Sequence, residues 1–201
     1  MSFKEFITLL TWDLRVNKGL SLDSLRAKLF LIEFRLEQYA YRNLMSRPSL
    51  AGKLAWFTLR FLGSLLQWFL CHSNMPGTLT IGRGLRLPHP QNIIIAGLAD
   101  IGEFCTIYHN VSIAWNGFKP IRPLSPKIGS GVLIGAGTII VGDITIGSNV
   151  LIGAGAVVSQ SVPDYSRVTS VRAVVTPRYP SEQATEPGSE QHLNDPYSIW
   201  R

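Results

Sequence analysis

Two histidines stand out among the residues able to do chemistry. His89 lies two positions after Leu87, and His109 two positions after Ile107. Leu87 and Ile107 belong to a series of aliphatic residues recurring every six positions, so both imidazoles hold the same place in their repeats. They are 20 residues apart, which is one 18-residue turn of the repeat plus a two-residue slip in its register. If each turn stacks on the next at the usual strand spacing of about 4.8 Å, one ring sits above the other on a single edge. A stacked imidazole pair with Asn110 beside it and a long loop nearby is a candidate for acid–base work near neutral pH. His72 and His192, in a junction and in the tail, read as bystanders.

Other chemistries lack their residues. Two cysteines, Cys71 and Cys105, make no disulfide framework, and no CxxC or Cys/His cluster offers a metal site. There is no phosphate-binding GxxxxGK[ST] loop and no dinucleotide GxGxxG after a strand. Gly-Ala-Gly occurs twice, at 135–137 and 153–155, again 18 residues apart. Small residues there (Gly135, Ala136, Gly153, Ala154) leave backbone groups approachable and suit a long thin ligand, although the repeat demands small residues anyway.

The repeat itself must position these groups. Ile128, Ile134, Ile140, Ile146, Ile152 and Val158 recur without a miss, with glycine after most of them. The same grammar runs through Ile81, Leu87 and Ile93, and then Ile95, Ile101, Ile107 and Ile113, with the slip between Ile93 and Ile95. A period of six fits neither a helix nor an alternating strand. It predicts a parallel β-helix in which three hexads close one coil. The segment 114–127, with Pro120, Pro123 and Pro126, must leave the coil as a loop.

Residues 1–74 follow helical rules, with amphipathic runs over 25–41 and 54–71 broken by 43–49. The second run falls just short of a comfortable membrane span and contains Arg60; it reads first as a helix packed at a subunit contact rather than one on a bilayer surface. From Ser181 onward the Pro/Ser/Glu/Gln-rich tail reads as disordered. The 201 residues are 46% hydrophobic and 16% charged, too many charges for a multispanning membrane protein. Residues 1–74 carry ten Lys/Arg against five Asp/Glu, within a net charge of +6. No stretch makes a nucleic-acid stripe. The basic excess suits an acidic small molecule or a membrane surface. The first residues do not read as a secretory signal, so the expected compartment is the cytoplasm.

Over roughly residues 74–170, the segments IGRGLRLPHPQNIII, IGEFCTIYHNVSI and PKIGSGVLIGAGTIIVGDITIGSNVLIGAGAVVSQSVP resemble the hexapeptide-repeat acyltransferases, and within them the serine acetyltransferase branch. The resemblance implies a left-handed parallel β-helix behind a helical N-terminal region. It also implies trimers or dimers of trimers, with acetyl-CoA in the groove between subunits and no metal. His89 matches the family's general base. Ala136 and Ala154 match positions whose backbone holds the pantetheine arm, and His109 falls where relatives carry Gln or His.

The departures bear on the acceptor. The acid that orients the catalytic histidine aligns with Asn74, which can fix a tautomer but cannot stabilise imidazolium charge. Pro88 replaces the Asp that reads serine's amino group, and Leu124-Ser125 replaces the Arg-His pair that grips its carboxylate. The Gly-rich loop becomes Ala114-Trp115-Asn116-Gly117. Each lost charge-assisted hydrogen bond is worth ~1.5–3 kcal/mol, whereas an exposed Trp115 or Phe118 suits a sugar ring. The expected activity is therefore acetyl transfer from acetyl-CoA to a sugar hydroxyl, as in the polysaccharide-biosynthesis O-acetyltransferases. Trp115, Asn116 and Ser125 would face that glycan, and residues 1–74 would lie near the inner membrane. Serine O-acetylation and a non-catalytic trimeric scaffold are the alternatives.

Overall fold

The structure is a computed structural model that describes residues 1–45, 49–96, 98–115 and 125–171. Three helices come first: α1 (Phe3–Val16), α2 (Leu22–Leu44) and α3 (Leu50–Cys71). Each begins at a serine whose side chain accepts a backbone N–H of the first turn: Ser2 from Glu5, Ser21 from Ser24, Ser49 from Gly52. Such caps satisfy donors that no helical carbonyl can reach. They explain why α2 and α3 start ahead of the apolar periodicity, at Leu22 rather than Leu25 and at Leu50 rather than Leu54.

Twelve short strands follow among the described residues: β1 (Thr80–Ile81), β2 (Ile94–Ile95), β3 (Asp100–Ile101), β4 (Thr106–Ile107), β5 (Ser112–Ala114), β6 (Lys127–Ile128), β7 (Leu133–Ile134), β8 (Ile139–Val141), β9 (Thr145–Ile146), β10 (Leu151–Ile152), β11 (Val157–Val158) and β12 (Arg167–Val168). They form three parallel sheets, β1-β3-β6-β9, β4-β7-β10-β12 and β2-β5-β8-β11, the three faces of a β-helix. The last residue of a typical strand and the residue two before it both point inward: Val132 with Ile134, Thr138 with Ile140, and Val150 with Ile152 are all buried. One isoleucine per hexad thus stacks on its copies above and below, and apolar burial along this column drives the coiling.

The pairing moves the register slip. Ile93 and Ile95 are both buried and match the inward couple Val111 and Ile113, with Ile95 paired to Ile113. The two extra residues instead lie in the corner Pro88–Asn92, which runs from Leu87 to Ile93 where the next coil runs from Ile107 only to Val111. Ile93 keeps six-residue spacing from Leu87 because the other inward position also happens to be isoleucine. Glycine after the inward aliphatic serves close approach between coils: a β-carbon on Gly135 would lie 2.6 Å from the Ala154 nitrogen. Left-handed backbone falls elsewhere at the corners, at Asn92 (φ 55°), Asn110 (φ 56°), Gly137 (φ 70°) and Gly155 (φ 69°).

The first coil has no coil beneath it, so its strand edges need other partners. The helices supply them through buried polar side chains. Asp13 Oδ1 accepts from the Leu85 N–H (2.9 Å), Asn17 Oδ1 from the Leu87 N–H (2.9 Å), and Asn17 Nδ2 donates to the Leu85 carbonyl (2.8 Å). Arg35 donates to the carbonyls of Ile81 (2.8 Å) and Gly82 (2.6 Å) and to Asp13 Oδ2 (2.7 Å). Gln38 donates to the Leu79 carbonyl, and Gln67 accepts from the Met75 N–H, both at 2.8 Å. The helices and the coils thus lie within one compact unit, Met1–Ser170. The tail from Ser181 lies outside the described residues.

Candidate active site

One corner of the β-helix, between the sheet of β4 and the sheet of β2, collects the residues singled out for chemistry. Arg86 pairs with Thr106, Thr106 with Leu133, and Leu133 with Leu151. His89, His109, Ala136 and Ala154 each follow one of these by three positions, so they stack on one edge in successive coils. The imidazoles of His89 and His109 lie 5.7 Å apart, edge to face at 84°. With Gln91, Asn92 and Asn110 they line a cavity of about 350 Å³. Backbone bonds from Asn110 to Gln91 (3.0 Å), Gly137 to His109 (3.0 Å) and Gly155 to Ala136 (2.8 Å) hold the edge together. Asn92 Nδ2 donates to Asn110 Oδ1 at 3.0 Å.

An acid reaches this corner from the helices. Asp23, in the first turn of α2, places Oδ2 2.8 Å from His89 Nδ1. Its Oδ1 accepts from Gln91 Nε2 at 2.8 Å and lies 3.6 Å from Arg26 Nη1. The hydrogen bond with His89, then that from Gln91, holds the Asp23 carboxyl below its usual range. An ionised carboxylate only accepts, so the His89 proton sits on Nδ1 and Nε2 is the basic nitrogen of the ring. The His89 side chain is half exposed. Nδ1 of His109 is shielded from solvent and has no hydrogen-bond partner among the described residues, which leaves Nε2 as the nitrogen that faces the cavity.

Asp23, Gln91 and Arg26 are absent from the sequence-derived site. Ser21-Leu22-Asp23 reads as a helix start, where a carboxylate is favoured by the helix dipole in any case, and 66 positions separate Asp23 from His89. Asn74 turns elsewhere: its Oδ1 accepts from Arg60 Nη2 at 2.9 Å, while the Nδ1 of His89 is engaged by Asp23. Trp115, half exposed, and Ser125, buried, flank 116–124 at the corner between β5 and β6, away from the histidine corner. Asn116, Phe118 and Leu124 lie outside the described residues. Gly135, Ala136, Gly153 and Ala154 lie on the histidine edge. A β-carbon at Gly155 would meet nothing within 4 Å, and one at Gly137 only the Gly155 backbone at 3.9 Å. An open lane therefore leads along the edge from His109. Among the described residues no group of three or more His, Cys, Asp or Glu is placed to hold a metal ion.

Residues 125–160 match the bacterial transferase hexapeptide (six repeats) family model. The crystal structure of serine acetyltransferase from Neisseria gonorrhoeae superposes with a TM-score of 0.70 at 26% identity, covering 91% of this chain and 71% of that one. This chain has the left-handed β-helix fold of the serine acetyltransferases. The serine acetyltransferase of Brucella abortus in complex with coenzyme A superposes with a TM-score of 0.68, also at 26% identity, covering 86% of this chain and 68% of that one. In sequence, the serine acetyltransferase of Staphylococcus xylosus is 37% identical over 112 residues, 56% of this chain and 51% of that protein. The chain spans about half or less of the length of the curated relatives it matches first.

These relatives overturn the expected sugar acceptor and the resemblance to polysaccharide O-acetyltransferases. The expectation weighed only coil and loop positions, where Pro88 and Leu124-Ser125 remove charge. It missed that α2 brings a carboxylate and a guanidinium, Asp23 and Arg26, to the same corner.

Proposed function

We propose that this chain is an acetyl-CoA-dependent serine O-acetyltransferase. The observation that carries the reading is the Asp23 carboxylate on His89 Nδ1, with Arg26 alongside. A zwitterionic acceptor needs both signs of charge and a base at its hydroxyl, and this corner holds all three. Where Asn74 leaves the imidazole without a charge partner, Asp23 supplies one from the helix. The likeness to a serine acetyltransferase solved with coenzyme A supports the donor, and the open lane past Ala136 and Ala154 gives a slender chain room to lie.

In this reading His89 Nε2 takes the proton of the serine hydroxyl as its oxygen attacks the thioester carbonyl. The tetrahedral intermediate collapses, the C–S bond breaks, and the thiolate takes the proton from Nε2, leaving O-acetylserine and coenzyme A. Asp23 holds the ring and offsets its positive charge in between, the task Asn74 cannot perform. In the tautomer with its proton on Nε2, His109 donates to the oxyanion. Arg26 faces the serine carboxylate. The half-open edge is completed by a neighbouring subunit in a homotrimer.

The test is acetyl-CoA-dependent release of free thiol with L-serine, set against other hydroxyl acceptors. Turnover on L-serine that disappears in His89→Ala is expected. Acetyl-CoA binding without thiol release on serine overturns the reading, and absence of acetyl-CoA binding returns the scaffold alternative.

A further inference from the structure

α3 is built inside out. Two long polar side chains face the protein: Gln67, 1% exposed, bonds Glu33 Oε2 (2.6 Å) and the backbone of Met75, and Arg60 bonds Glu37 Oε2 (3.2 Å) and Asn74. Its large apolar side chains face away: Leu54, Phe57, Phe61, Leu65, Trp68 and Phe69, the last 78% exposed, fall on the opposite side of the helix. A helix at a water-facing surface shows the reverse pattern. α2 extends the apolar surface with Leu25, Leu29 and Leu36, at spacings that keep them on one stripe beside Glu33, the residue that meets α3. A contiguous exposed apolar surface of this kind marks a docking site.

We propose that the outer face of α3 docks on an anionic lipid surface, with the helix lying flat in the interface. Charge selects the occupant. Of the five acids in residues 1–74, Asp13, Glu33 and Glu37 are buried. Glu5 and Asp23 are left to offset the exposed bases of this region, among them Lys4, Arg15, Lys18 and Lys53, the last of these on α3 itself. A helical region with this excess of exposed bases is drawn to anionic headgroups. α3 carries two charged residues, Lys53 near its start and Arg60 on the inner face; the flexible Lys53 stem can lift its ammonium to the headgroups.

Depth follows from the inner face. By length and composition α3 is long and apolar enough to cross a membrane. Crossing, however, would carry the Arg60–Glu37 and Gln67–Glu33 bonds, and the β-helix tied to them through Met75, into hydrocarbon. Lying flat submerges the apolar side and keeps every one of these bonds.

The full chain is to be floated with vesicles of phosphatidylcholine alone and with phosphatidylglycerol added. Flotation with the anionic vesicles is expected, weakened by salt, and at least about tenfold weaker binding for the double variant Phe61→Glu/Leu65→Glu. A readout on the unaltered surface covers the case in which that variant fails to fold: brominated lipid should quench the wild-type fluorescence, and Trp68→Phe should remove much of that quenching. A chain that floats with neither vesicle, or quenching that is the same without Trp68, overturns the proposal. So does a larger assembly that Phe61→Glu splits into smaller ones while vesicles have no effect; the face would then belong to a second copy.

Discussion

His89 and Asp23 act as one unit. The carboxylate keeps Nδ1 protonated and leaves Nε2 to accept, so loss of either partner removes the base in a different way. His89→Ala deletes it, and thiol release should fall about 100- to 10,000-fold with the helix and sheet content unchanged by circular dichroism. Asp23→Asn keeps the shape of the contact but lets the ring adopt the other tautomer and removes the charge that offsets imidazolium. The expected loss in kcat is of the same order, on the order of 100-fold or more. Equal kcat in the Asn variant would show that Asp23 does not hold the ring during turnover. The imidazole pair was legible from hexad position alone because β-helix stacking converts sequence spacing directly into height on one edge. Asp23 was not, since nothing local distinguishes a helix-start acid that binds an imidazole from one that meets only water.

The contacts between elements carry two further predictions. Glu33 is buried between α2 and α3, and burial pushes its carboxyl up from 4.5 to about 7, against the hydrogen bond from Gln67 that lowers it. Gly63 is what allows it there, because a β-carbon on that residue would fall on Glu33 Oε1. Between 4.5 and about 7 the folded chain holds a proton that the unfolded chain releases. Stability is therefore greatest below that window and declines as pH rises through it. Urea midpoints measured from pH 5 to pH 8 should fall for the wild type and flatten for Glu33→Gln. Arg35 is the second case. It is wholly buried on Asp13, whose carboxyl burial pushes up and the guanidinium pulls back down. Arg35→Met leaves Asp13 without its charge partner and the Ile81 and Gly82 carbonyls of the first coil unpaired, and should cost about 3–5 kcal/mol in urea denaturation. A loss under 1 kcal/mol would show that water satisfies the coil edge as well as Arg35 does.

At the scale of the whole molecule, the exposed histidine edge and the exposed α3 face ask for different partners. The edge is expected to be closed by two further copies of the chain, so sedimentation should report a trimer, and thiol release per chain should fall on dilution below its dissociation. What the sequence by itself determined is the β-helix. A six-residue period of inward aliphatics admits one way of burying every member of that period, and the three-sheet pairing follows from it. The stacking of His89 on His109 and on the Gly-Ala-Gly edge follows from the same period. Tertiary structure alone decided the rest: the two extra residues at Pro88–Asn92, the pairing of Asp23 with His89, the turn of Asn74 toward Arg60, and the outward side of α3. The reason is physical. Repetition makes the coil a one-dimensional object whose contacts are readable from spacing, whereas helices docked on its first coil make contacts tens of residues apart, fixed by which polar groups the open edge left to satisfy.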